Sequence, residues 1–276
     1  MSLLNSPDME DVGAMNDAAD HLPVEWARLR ASQIQALATP DAIVVIPIAS
    51  VEHHGPHLPT GVDTFIGTEI ARRAALRARD HRTVLVTPTI WHGLAEMHMS
   101  LGGTLTLDLN TFLDVVRCIC RSVVRQGFRR ILLLNNHGGN IAALTAVTND
   151  IGAEHNIAIA AVAYWQLAAE QFGAILEDQV SLEHACEGET SMIFALAPDL
   201  IDTTQLQNAI GPTSPTAASL VGPYVARWRS FAARSDNGTV GNPTRANADK
   251  GERLMEAAAE GVANLLCNDA FWMQTF

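Results

Sequence analysis

The sequence is poor in cysteine. Its 276 residues hold four, at 118, 120, 186 and 267, with no C-x-x-C pair. That density excludes a disulfide scaffold and points to free thiols in a reducing cytoplasm. Cys118 and Cys120 sit two apart on an expected helix, so they point in different directions. Basic residues are also scarce. Eighteen Lys and Arg against thirty Asp and Glu leave a net charge of −12, which argues against nucleic acid or an anionic membrane as partner. No apolar run approaches the length of a membrane span. The stretch from Met1 to Asp20 lacks the basic start and apolar core of a signal peptide, and the expectation is a soluble, cytoplasmic protein. G-x-S-x-G is missing, so nothing supports a serine-hydrolase elbow. G-x-G-x-x-G after a strand is missing too, so nothing supports a dinucleotide site.

What is present has an ordinary globular balance, 48% hydrophobic and 17% charged, in a chain long enough to bury a sizeable core. Residues 1–20 read as a flexible N-terminal tail and 21–276 as one domain. Ala42–Ile48 and Arg130–Asn135 are continuous apolar runs of the kind that form central parallel strands covered on both faces. Val84–Val86 and Ile157–Ala163 read as further strands, and Thr104–Leu107 as a short one. Helices are expected over Val24–Ala38, Thr64–Arg79, Asn110–Gln126, Ile141–Glu154, Trp165–Leu176, a segment ending before Pro198, and Ala248–Asn268. Residues 208–246 are rich in Gly, Pro, Ser, Thr and Asn and read as an extended loop or lid. Strands alternating with helices predict an α/β fold, a single three-layer αβα domain with a mostly parallel central sheet.

Ligands of such sheets bind beyond the carboxyl ends of the strands. The polar clusters of this chain follow strands, so they should gather at one edge. The first cluster is Glu52, His53, His54, His57 and Asp63. In an extended loop, Glu52 and His54 face the same side and His53 the other. Asp63 returns to that place or caps the helix behind it. The second is Asn136-His137-Gly138-Gly139-Asn140, where two glycines permit close approach of a ligand and Asn140 is placed to cap a helix. The third is Glu183-His184-Ala185-Cys186-Glu187-Gly188-Glu189. There Glu189 is a candidate ligand, His184 a candidate proton carrier, and both glutamates are also suited to a helix start. Cys186 and His184 form a nucleophilic pair on paper only, because spacing says nothing of geometry. His92, Glu96 and His98 form a fourth group suited to substrate or to a competing metal site. His21, His81 and His155 read as surface residues.

Glu, His and Asp together suit divalent metal. Two cations a few ångströms apart repel, and a bridging carboxylate offsets the repulsion while imidazoles complete each sphere. Such a pair activates water and polarises a carbonyl, which serves hydrolysis of an amide or formamide at neutral pH.

These residues resemble the creatininase (creatinine amidohydrolase) family. The resemblance lies in Glu52-x-His54-Gly-Pro-His-Leu-Pro with Asp63, Asn136-His137-Gly-Gly-Asn, and His184-Ala-x-x-Gly-Glu189-Thr-Ser. It extends to Gly102-Gly-Thr-Leu-Thr-Leu107, Gly241-Asn-Pro-Thr-Arg-Ala, and Lys250-Gly251. It implies an αβα domain, homo-oligomers such as hexamers, and two divalent ions, zinc or manganese and sometimes iron. Carried over by motif, Glu52 binds one ion, His54 and His137 the other, and Asp63 bridges them. The resemblance also implies that His184 acts on substrate or in proton transfer. His184 or Glu189 is expected to deliver the proton, and His98 and Gly138 are expected at the substrate. Where creatininase has a Glu two residues after the histidine matching His137, this chain has Gly139, and Glu189 is the candidate replacement ligand. Ala95, and Val180 or Ser181, stand where creatininase places a Ser and a Trp on its substrate. The expected reaction is therefore metal-dependent hydrolysis of a lactam or formamide C–N bond, in a small molecule other than creatinine or in a short peptide. The alternatives are a metal-binding homologue without turnover and a peptidase of a modified-peptide pathway.

Overall fold

The computed structural model describes residues 22–213 and 227–273. The expected tail over 1–20 lies outside the described residues, and the loop 208–246 falls only partly within them. Four strands form one sheet: β1 (Ile43–Ile48), β2 (Val84–Val86), β3 (Arg130–Asn135) and β4 (Ala158–Ala163). Their order is β2-β1-β3-β4, and every pairing is parallel. Every residue of β1 is buried, as its unbroken apolar run requires of a strand covered on both faces.

Nine helices accompany the sheet among the described residues: α1 (Ala31–Leu37), α2 (Val62–Ala78), α3 (Leu109–Arg125), α4 (Ile141–His155), α5 (Tyr164–Leu167), α6 (Ala169–Ile175), α7 (Glu187–Leu196), α8 (Ala248–Leu266) and α9 (Asp269–Trp272). Alternate residues of β1 divide between two cores. Ile43 and Val45 pack with Ile66, Ile70, Leu254 and Trp272 under α2 and α8. Val44, Ile46 and Ile48 pack with Phe112, Val116 and Val147 under α3 and α4. Together they make the three-layer αβα fold.

Several elements depart from expectation for identifiable reasons. The helix expected over Val24–Ala38 is broken. Glu25 bridges to Val86 at the sheet edge, so Val24 and Glu25 are extended, and only a 3-10 turn (Trp26–Arg28) and α1 remain helical. The helix expected over Trp165–Leu176 divides at Ala168, which leaves the helical region at ψ 23°. Here α8 approaches closely: a Cβ on Gly261 would sit 2.9 Å from the Leu167 carbonyl oxygen. Thr104–Leu107 makes only isolated bridges, Leu105 with Val51 and Thr106 with Gly93.

The chain leaves β1 for β2 on one side and crosses to β3 on the other. That reversal opens a crevice beyond the carboxyl ends of β1 and β3, where parallel sheets receive their ligands. Ile48 and Asn135 close those two strands in register.

Candidate metal centre

Asparagines fasten the loops leaving β1 and β3. Asn136 donates its backbone N–H and its side-chain amide to the Ile48 carbonyl, at 2.8 and 3.3 Å. Asn135 Nδ2 donates to the His137 carbonyl at 2.8 Å. Asn140 does not cap α4 with its side chain. Its amide bridges instead from the Ala49 carbonyl to the Leu94 N–H. Asp63 is the second residue of α2 rather than its cap, since Gly61 holds the cap position. Its carboxylate is thereby free to face the crevice.

Glu52, His54, Asp63, His98 and His137 are each at least 95% buried, and Glu189 is 8% exposed. His137 Nδ1 stands 2.9 Å from Glu52 Oε2 and 3.4 Å from Asp63 Oδ2. His54 Nε2 stands 3.2 Å from Asp63 Oδ1 and 3.8 Å from Glu189 Oε2. The structure thus pairs His137 with Glu52 and His54 with Glu189. The motif comparison instead groups His54 with His137 on one ion. The reason for the pairing in the structure is local. His54 Nδ1 is taken by the Glu52 carbonyl at 3.0 Å and His137 Nε2 by the Leu94 carbonyl at 3.1 Å, so each ring presents its other nitrogen to a different side of Asp63.

Gly139 explains why the motif's carboxylate is not at that position. A Cβ there would lie 2.2 Å from the Leu94 carbonyl oxygen and 2.5 Å from His137 Nε2. The same carbonyl that orients His137 excludes a side chain. Glu189 approaches from the first turn of α7, and the Ala185 N–H donates to its Oε2 at 2.5 Å. Ala185 sits at φ 51°, an uncommon conformation for alanine of the kind that clusters at functional sites.

The donors suit divalent cations. Glu52 Oε2, His54 Nε2 and Asp63 Oδ2 are buried without a hydrogen-bond partner, a costly state for polar atoms. Two groups, Glu52–Asp63–His137 and His54–Asp63–Glu189, each bring three ligand atoms within 4.8 Å of one another. The electrostatics ask for positive charge. Burial opposes charge on Glu52, yet the His137, His98 and His184 rings hold its carboxyl well below the usual range. Burial likewise opposes charge on His54, yet Asp63, Glu189 and Glu52 raise it to about 9. Burial, with Asp63 and Glu52 nearby, pushes Glu189 up to about 8. Three carboxylates crowd a space for which the described residues supply imidazoles but no lysine or arginine.

His98 and His184 flank this cluster, with His98 Nε2 and His184 Nδ1 lying 3.4 and 3.5 Å from Glu52 Oε1. Burial takes His98 down to about 4 and, with His54 and His98 beside it, takes His184 well below its usual range. Both shifts favour the neutral ring. His53 turns outward to the Asn237 carbonyl. Gly138 is exposed and faces open space. His92 stacks on Trp91 away from the cluster, Glu96 is exposed, and His81 and His155 pair with Asp269 and Glu154. Cys186 is no nucleophile. Its sulfur takes the Glu183 and Gly188 N–H groups at the start of α7, and burial pushes the thiol up to about 12.

Two contacts of the centre are not set by local sequence. Phe231 opens a short 3-10 turn within an otherwise irregular stretch; its ring stacks 4.3 Å from that of His98 and lies tilted 4.6 Å from that of His184, bordering that side of the crevice. His57 Nε2 is 2.8 Å from Thr190 Oγ1, which ties the loop after β1 to the residue following Glu189.

Comparison with known proteins shows the family. The family model described as "Creatininase: Creatinine amidohydrolase" matches residues 27–266. The chain is 30% identical over 234 residues to a "Mycofactocin precursor peptide peptidase" of Mycobacterium ulcerans, covering 83% of this chain and 85% of that one. It is 25% identical over 248 residues to "Creatinine amidohydrolase" of Pseudomonas putida, covering 83% and 90%. A solved structure named "Creatininase Mn" superposes with a TM-score of 0.73 at 25% identity, covering 88% of this chain and 97% of that one.

Proposed function

The chain belongs to the creatininase family, and from that premise we propose that it is a divalent-metal-dependent amidohydrolase acting on a C–N bond of a short peptide or a small amide. The observation that carries this reading is the pair of buried ligand triads meeting at Asp63. Glu52, Asp63 and His137 would hold one ion, and His54, Asp63 and Glu189 the other. Manganese, named for the solved relative, and zinc both suit mixed imidazole and carboxylate donors. When bound, such a pair lowers the pKa of a shared water and polarises a carbonyl oxygen.

The chain's own groups supply the rest. His184 donates Nε2–H to the His53 carbonyl at 2.7 Å, so its neutral ring keeps a lone pair on Nδ1, at the edge of the cluster. That nitrogen accepts a proton and returns it to the leaving nitrogen. Phe231 covers the His98 and His184 rings and keeps water from their faces. His98, against Phe231, borders the space left for substrate.

The peptide side of the substrate class is favoured by the relative at 30% identity, which is named a peptidase. Creatinine is disfavoured by Ala95, and by Val180 or Ser181, where the motif comparison expects substrate-holding Ser and Trp. A homologue without turnover would be favoured by an incomplete second triad, and Glu189 lies where it completes that triad. The expected assembly is a cytoplasmic homo-oligomer, measurable by sedimentation. No described helix is long and apolar enough to cross a membrane.

The test is hydrolysis of a panel of short peptides, N-formyl amides, lactams and creatinine by protein loaded with zinc or manganese. Turnover of a peptide or small amide, abolished in Glu52→Gln, is the expected result. Two bound ions with no turnover across the panel would establish the non-catalytic alternative.

A further inference from the structure

Three histidines of the centre share one device. His54 Nδ1, His137 Nε2 and His184 Nε2 each meet a main-chain carbonyl, of Glu52, Leu94 and His53, at 3.0, 3.1 and 2.7 Å. In each ring the other nitrogen turns toward carboxylates. A carbonyl behind the ring is the arrangement that orients metal-bound imidazoles. The function proposed above uses it for His54 and His137 and leaves His184 to carry protons. Yet His184 has the shortest of the three contacts, and its Nδ1 lies 3.5 Å from Glu52 Oε1. Glu52, His54 and His184 form a third group whose ligand atoms all lie within 4.8 Å of one another. His54 belongs to this group and to the group of Asp63 and Glu189. Its Nε2 is buried and without a hydrogen-bond partner.

We propose that the second cation has two alternative seats that share His54: one completed by Asp63 and Glu189, the other by Glu52 and His184. One imidazole nitrogen binds one cation, so the seats exclude each other and make no third site. In the first seat His184 Nδ1 stays free. In the second its lone pair is occupied, and the proton carrier is out of use. The donor sets differ in chemistry. The first offers one nitrogen and two carboxylates, the second two nitrogens and one carboxylate. Imidazole suits zinc, whereas carboxylate suits manganese. Zinc therefore occupies the His184 seat to a greater extent than manganese does.

This inference rests on the two-ion reading above, and one experiment separates their failures. Zinc stoichiometry is measured by equilibrium dialysis for the unmodified protein, Glu189→Gln, His184→Gln and the double variant. Each is checked for an unchanged far-ultraviolet spectrum and for the melting temperature of its chelated form. Two ions are expected in the unmodified protein and in each single variant, with the second bound about tenfold more weakly in the variants, and one ion in the double variant. A fall to one ion in Glu189→Gln alone, or two ions retained in the double variant, overturns the alternative seats. A single ion in the unmodified protein removes the two-ion reading itself. X-ray absorption at the zinc edge gives an independent readout. Glu189→Gln should show more imidazole nitrogen per zinc than His184→Gln, and equal counts would overturn the proposal.

Discussion

Glu187 and Glu189 leave the same turn of α7, and both are buried, but of the two only Glu187 meets a lysine among the described residues. Glu187 pairs with Lys250 Nζ and accepts the Glu177 and Asp178 N–H groups at 3.1 Å. Lys250 also holds Glu177 Oε1 at 3.0 Å and the Arg245 carbonyl at 2.8 Å. Every charge in that cluster is matched within the fold. Two residues further on, Glu189 faces His54 and Asp63 with one backbone N–H and, among the described residues, no lysine or arginine. Within the chain only protons on groups such as His54 and Glu189 offset that charge, so this cluster, unmatched by any permanent cation, is suited to a cation from outside the polypeptide. The lesson is that burial and acidity alone do not identify a metal site. A matched cluster two residues away has both.

Breaking the unmatched cluster should have the largest effect. Asp63→Asn removes the carboxylate common to both triads. Hydrolysis should fall by more than about 100-fold, since even groups behind the ligands cost about 10–100-fold, and bound metal should drop below two ions per chain by elemental analysis. Gly139→Ala attacks the same cluster through the backbone. Its methyl meets the Leu94 carbonyl and the His137 ring, so metal affinity should weaken by about 10–100-fold, as measured by competition with a chelator. Lys250→Met tests the matched cluster. Leaving Glu187 unpaired should cost about 3–5 kcal/mol, or roughly 10 °C in melting temperature for a chain of this size, while metal stoichiometry stays as it was. A loss of metal in this variant would show that the two clusters are not separable. The smallest effect concerns thiols. Burial pushes Cys120 and Cys186 up to about 12, whereas Cys118 is exposed. Alkylation should mark Cys118 readily, spare Cys120 and Cys186, and leave activity within about twofold.

Much of the framework was legible because burial writes itself into composition. Arg130–Asn135 was read to the residue, and β1 within one position, because a strand covered on both faces has no polar side. The crevice follows from strand order. Glu52, His54 and His137 are candidates because they lie just past strand ends, and Asp63 because it stands at the start of the next helix. The pairing of His137 with Glu52 was not legible. It depends on which ring nitrogen the Leu94 carbonyl takes, and Leu94 belongs to a loop 43 residues away in sequence. Phe231 was hidden for a related reason: an irregular segment has no periodicity to reveal which side chain turns inward. The break between Val24 and Ala31 was hidden because pairing at a sheet edge overrode a helical pattern. In each case a tertiary contact decided what local pattern left open.

The carbonyls behind His54, His137 and His184 bear on how this protein could be redirected. All three belong to the main chain, so no side-chain replacement deletes them while the loops keep their course. A library that varies the residues around Phe231 and His98 can therefore explore new substrates on an unchanged catalytic chassis. Its failures should trace to loop geometry rather than to the identity of any varied position.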